Sequence, residues 1–168
     1  MCLLVDSKSK QILSRDEHLI GHKWFRIDKN GVLWPYLAQA NESYIPGKVY
    51  EAKGDRSEGD VVKADTLFAW LARIGDWMWL NREQYNHSWK GRASCSAGFF
   101  HATVPQKHYD LGEVKDFNGR VIIALEVHIW GEVWYENKAP LLYSFQFAGT
   151  HMYIPEGQYS LEDLDGTL

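Results

Sequence analysis

Residues 118–136 read NGRVIIALEVHIWGEVWYE, the strongest strand signal in the chain. Side chains alternate across a strand, so Val121, Ile123, Leu125, Val127 and Ile129 face one way. Arg120, Ile122, Ala124, Glu126, His128 and Trp130 face the other. The first set is wholly aliphatic and belongs in a core. The second mixes charge, imidazole and indole, which suits a working surface. Gly131 marks a bulge or bend before the strand continues to Tyr135.

Working outward, residues 22–37 (HKWFRIDKNGVLWPYL) place two β-forming runs around DKNG, a hairpin signal centred on Asn30-Gly31. His22, Trp24 and Arg26 share one face, while Lys23, Phe25 and Ile27 share the other. Pro35 removes a ladder donor and ends the second strand or confines it to an edge. Tyr44-Ile45-Pro46-Gly47 is a turn, and residues 48–52, 141–147 and 151–154 are further short strands. In GFFHATVP, residues 98–105, alternation sends Phe99 and His101 one way and Phe100 and Ala102 the other.

A different texture fills residues 64–91, ADTLFAWLARIGDWMWLNREQYNHSWKG. Asp65 is a fitting N-cap, and Leu67, Leu71, Ile74 and Met78 recur at helical spacing with Trp70 and Trp77 on the adjoining line. This predicts an amphipathic helix that docks on the sheet, or serves as a lid or a dimer contact. The expected class is therefore α+β: one domain over residues 1–168, mostly antiparallel sheet with one principal Trp-rich amphipathic helix. Residues 60–94 form a helical insertion in this reading, and the acidic residues 160–168 form a flexible tail.

The chain has 168 residues, enough for one sizeable core, with eight Trp, nine Tyr and seven Phe. That aromatic surplus serves a core or a surface that stacks on flat ligands. A net charge of −4 without a basic cluster argues against binding duplex nucleic acid, but leaves room for one small anion held by an arginine or two. Cys2 and Cys95 lie far apart, which fits a reducing compartment. The apolar run from Cys2 to Val5 is far too short for a signal peptide or a membrane span, so the expectation is a cytoplasmic protein without membrane association.

No phosphate-loop, dinucleotide, zincin or nucleophile-elbow signature occurs, so the common enzyme classes that carry them are disfavoured. Three constellations remain. Glu126 and His128 project from one strand face, with His101 on a different strand, and suit acid–base work better than a metal, for which no cysteine ligand is at hand. His22, Trp24 and Arg26 combine a stacking ring with a planar cation, the mixture a nucleotide-like ligand needs. Gly98-Phe99-Phe100-His101 lets one phenylalanine enter the core while Phe99 flanks the imidazole.

Four stretches, GHKWFRIDKNGVLWP, YIPGKVYEA, GFFHATVP and GRVIIALEV, together resemble a group of small uncharacterised proteins encoded by phages and prophages. Members of that group begin with a "gyKvfR…dG.L.P" hairpin, pass through "Y..G", and reach a "GfH.t" block before a Val/Ile/Glu-rich strand. The likeness covers roughly half the chain. It implies a phage context inside an infected bacterial host and no established activity. Residues 60–94, with Trp70, Trp77, Trp79 and Trp89, look like an insertion relative to shorter members.

The leading expectation is a non-catalytic anti-defence sponge that sequesters a small nucleotide-derived ligand, as a monomer or a homo-oligomer. Its ligand-binding residues would be His22, Trp24, Arg26, Phe99, His101, Glu126, His128 and Trp130, with no cofactor and no metal. One alternative is an enzyme similar to ADP-ribosyltransferases, acting on NAD through Arg26, His101 and Glu126. Another is a protein-interaction module whose Trp70–Trp89 face binds a host partner.

Overall fold

In the computed structural model the described residues are 3–5, 10–36, 42–53, 92–94, 98–105, 111–112, 114–117, 119–135 and 146–164. In chain order they form β1 (Leu3–Val5), β2 (Lys10–Leu13), β3 (Leu19–Ile27), β4 (Leu33–Pro35), β5 (Val49–Glu51), β6 (Arg92–Ser94), β7 (Phe100–Thr103), β8 (Val114–Phe117), β9 (Arg120–Tyr135), β10 (Gln146–Tyr153) and the helix α1 (Leu161–Leu164). A 3-10 turn at Arg15–Glu17 joins β2 to β3. Strands β1 and β6 pair with each other, and the other eight form one antiparallel sheet.

β9 is the spine of that sheet. One edge takes β3 along Ile122–Ile129 and then β2 along Gly131–Trp134. The other edge takes β8 along Arg120–Ile123 and then β10 from His128 to Tyr135. β10 pairs onward with β7 and β5, and β7 meets β3 through His22 and Thr103. The pairing path β3–β9–β10–β7 thus returns to β3, and the sheet closes on its own apolar side. Ile123, Leu125, Val127, Ile129 and Val133 point inward, each fully buried, against Phe25, Leu33, Phe100, Phe147, Met152 and Ile154. Each such side chain contributes roughly 1.5–3 kcal/mol of transfer free energy.

Local sequence explains the bends. Gly131 has φ +86°, and there the β9–β10 register slips by one residue between Gly149 and His151. A Cβ on Gly131 would collide with Thr150 Oγ1, whose hydroxyl accepts the Glu132 N–H at 3.1 Å. The DKNG turn is organised by Asp28, whose carboxylate accepts the Asn30 N–H (2.9 Å), the Val32 N–H (3.0 Å) and the Trp34 indole N–H (3.0 Å). Between β8 and β10, no strand among the described residues lies beside β9 at 124–127. Gly112 N–H donates to Ala124 O, and the Gln158 amide clamps Glu126 through both its N–H (2.7 Å) and its carbonyl (2.9 Å). Gln158→Ala strands two main-chain groups, and we expect a loss of about 2 kcal/mol in urea unfolding. An unchanged midpoint would mean that water replaces the clamp.

The α+β expectation is corrected. Among the described residues the architecture is mostly antiparallel β-sheet, and its single α-helix is the four-residue α1. A sheet that curls until its strands meet covers its own apolar side, so no helix is needed over it. The Trp-rich helix expected within 65–89 lies outside the described residues. Within the 60–94 segment, the described Arg92–Ser94 are a strand. At the C-terminal end, Leu164 of α1 packs into the core at 4 % exposure, so this part of the acidic tail has something to bury.

Candidate functional site

Pairing of β3 with β9 sets opposite each other the residues that alternation turns outward. His22 lies opposite Glu126, Trp24 opposite Ala124, Arg26 opposite Ile122, and His128 opposite Ile20. Trp130 lies opposite His151 of β10. Six of the expected site residues (His22, Trp24, Arg26, Glu126, His128 and Trp130) therefore share one outward strip. Phe99 and His101 reach the barrel exterior from β7 and the turn before it. Phe99 is buried against Trp134 and Ala148, and His101 lies opposite Ala148. The structure thus brings six of the eight together on β3 and β9 and sets Phe99 and His101 on the β7–β10 part of the exterior.

The two ends of the strip differ. At the β10 end the groups engage one another. Glu126 Oε1 and His128 Nε2 are 3.0 Å apart, and His18 stacks on His128 with centroids 4.1 Å apart and planes at 11°. The Arg15 guanidinium lies 5.5 Å from both the Trp130 and the Tyr153 ring centres. His151 stacks on Trp130 at 5.6 Å and approaches Glu51 at 4.0 Å. This network pins the 3-10 turn to β9 and β10, and it covers ring faces that a ligand would otherwise use. At the middle of the strip, burial pulls the His22 pKa down, and the Glu126 charge partly opposes that.

The other end is open. Arg26, Ile27, Asp28, Lys29 and Trp34 from the hairpin face Gly119, Arg120 and Val121 from the β8–β9 turn across a cleft of ≈ 440 Å³. Arg26 lies 5.8 Å from the Trp34 ring centre. The Trp34 indole N–H is tied to Asp28, so the ring is held in place. Donation from that indole is the foremost reason the Asp28 carboxyl sits below the usual carboxylate range, with main-chain donors and Arg26 adding to it. Three cations thus face a single carboxylate already occupied by hydrogen bonds, in a chain of net charge −4.

Sequence reasoning found Arg26 and missed Lys29, Trp34 and Arg120. Lys29 was readable as a turn residue and Trp34 as a strand residue, but only the β8–β9 hairpin brings Arg120 beside them. The four residues of β8 gave no strand signal of their own. Among the described residues no group of three or more His, Cys, Asp or Glu side chains is placed to hold a metal ion, and no helix is long and apolar enough to cross a membrane. Comparison with protein-family models, curated proteins and solved structures finds no match.

Proposed function

We propose that the chain is a binding protein that takes a small, ring-bearing anion of nucleotide type in the cleft between the DKNG turn and Gly119. The observation that supports this reading is the grouping of Arg26, Lys29 and Arg120 around the tethered Trp34 indole. Guanidinium forks match phosphate oxygens, an indole face stacks on a base, and a locally cationic cleft draws anions toward an acidic chain. None of these roles requires a bond to be made or broken, so capture without turnover is the activity proposed. The phage-protein resemblance extends the reading to a sponge that withholds a nucleotide-derived signal in an infected bacterium. His22, Trp24 and Glu126 form the wall leading from this cleft toward the self-engaged end of the strip.

The test is a tryptophan-fluorescence titration with nucleosides, mononucleotides, dinucleotides and cyclic nucleotides. We expect saturable quenching by phosphorylated ligands and recovery of the ligand intact. Arg26→Ala and Arg120→Ala should each weaken binding roughly tenfold, with Lys10→Ala silent. No quenching across the panel would overturn the proposal, as would binding indifferent to both arginines.

A further inference from the structure

The tip of the DKNG hairpin rests on the C-terminal segment. Gly31, at φ +77°, donates its N–H to Asp28 O at 2.9 Å and accepts the Tyr159 hydroxyl on its carbonyl at 3.0 Å. The three atoms nearest to a Cβ built on Gly31 all belong to the Leu161 side chain, so that leucine fills the space a larger residue would need. Leu161 is 43 % exposed and stands outside the core cluster, so the turn is what it holds.

Both residues belong to a stretch that is fixed independently of the hairpin. Ahead of Tyr159, Ile154 is fully buried and its carbonyl accepts the Gly47 N–H at 2.8 Å. The Gln158 amide is bound to Glu126 of β9 and to the Pro155 carbonyl. Beyond Leu161, Leu164 of α1 lies in the core. The hairpin itself is short. β3 and β4 share three ladder pairs, and one of them ends in Pro35, which has no N–H to give. Leu33 exchanges both main-chain hydrogen bonds with Tyr44, which secures the base of β4, while Tyr159 and Leu161 bear on the tip.

The consequence for the cleft runs through Asp28. Its carboxylate gathers the Asn30 and Val32 N–H groups, which flank Gly31, together with the Trp34 indole N–H. A Gly31 that tilts carries both amides with it, loosens the carboxylate and frees the indole.

We propose that Tyr159 and Leu161 are positioning residues of the cleft, holding the DKNG tip so that Lys29 and the Trp34 ring keep their places opposite Gly119 and Arg120. Neither side chain lines the cleft, and both act through Gly31. The ligand in this inference rests on the nucleotide reading above, whereas the positioning is readable in the free protein. A cleft set in place before the ligand arrives avoids the ordering cost that a loose turn would add on binding. Burial, with the Asp28 charge second, pushes the Tyr159 pKa up, so the hydroxyl remains a donor at neutral pH.

The experiment compares the full chain with Tyr159→Phe, which deletes the hydroxyl alone, and with Leu161→Ala. Hydrogen exchange at the Trp34 indole N–H and at the Asn30 and Val32 amides should quicken roughly fivefold in each variant, while the Ile129 amide at the sheet centre keeps its parent rate. The dissociation constant for adenosine diphosphate should rise roughly three- to fivefold alongside. Exchange unchanged at the turn, or quickened equally at Ile129, overturns the proposal, because the two residues then serve overall stability alone. So does an unchanged affinity when the parent binds adenosine diphosphate and the turn has loosened. If the parent binds no adenosine diphosphate while exchange quickens at the turn alone, the nucleotide reading is what fails and the positioning of the turn stands.

Discussion

Replacing Ile129 by alanine should lower the unfolding free energy by roughly 2–5 kcal/mol, while replacing Ile20 by alanine should change it by no more than about 0.5 kcal/mol. The two residues are ladder neighbours at the centre of the sheet. Ile129 lies opposite both Leu19 of β3 and Met152 of β10, and is fully buried. Its Cγ2 occupies the space that a side chain at Gly149 would need. Truncation there removes dispersion contacts on three strands at once and leaves a void that a closed sheet cannot readily collapse. Ile20 lies opposite His128 and is 48 % exposed. Urea denaturation of both variants measures the contrast. Equal losses would mean that the inward and outward assignments of β3 and β9 are mistaken.

The second large effect concerns Lys23 and depends on pH. Its folded pKa of about 8 lies below the unfolded value of about 10.4, so between these the folded chain binds fewer protons than the unfolded one. The penalty for holding the cation inside is complete below about pH 8 and fades as pH rises toward 10. Discounted for the residue's partial exposure, it amounts to roughly 1–3 kcal/mol. Lys23→Met forgoes the hydrogen bond from the amine to the His101 main-chain carbonyl, worth about 1 kcal/mol, and escapes the charge penalty. We therefore expect the variant to gain on the parent protein at neutral pH, and that advantage to shrink or reverse as pH climbs to about 10. Denaturation series at about pH 7, 8.5 and 10 read the difference directly. A gap that stays constant across the series would mean that the amine is solvated like any surface lysine.

Strands with a clean alternation were legible before any coordinates. The sixteen residues of β9, the hairpin around DKNG and the irregularity at Gly131 all follow from period-two patterning and turn chemistry. Of the expected strands at 141–147 and 151–154, residues 141–145 lie outside the described residues, while the rest meets in one continuous β10 across Gln146–Tyr153, because Ala148-Gly149-Thr150 looks like a break yet packs as strand. β2 and β8 have four residues each, too few for a period to register, and their ladders rest on β9 more than on themselves. Closure of the sheet was invisible for a related reason: the His22–Thr103 contact spans eighty-one positions and leaves no local trace. The site divides in the same way. Which residues share a face was readable from parity alone, whereas the meeting of Arg120 with Arg26 and Trp34 depends on two hairpins packed side by side. Lys23 was placed on the core face by parity, but an apolar neighbourhood for its amine emerges only once β7 closes over β3.

Amide chemical-shift mapping during a nucleotide titration bears most directly on the proposed capture site. Binding in the cleft predicts shifts at Ile27, Asp28 and Lys29, at the Trp34 indole N–H, and at Gly119, Arg120 and Val121, with the β2 and β5 edges silent. Shifts confined to the Arg15, His128 and Trp130 end, or a spectrum unchanged at saturating nucleotide, would contradict it.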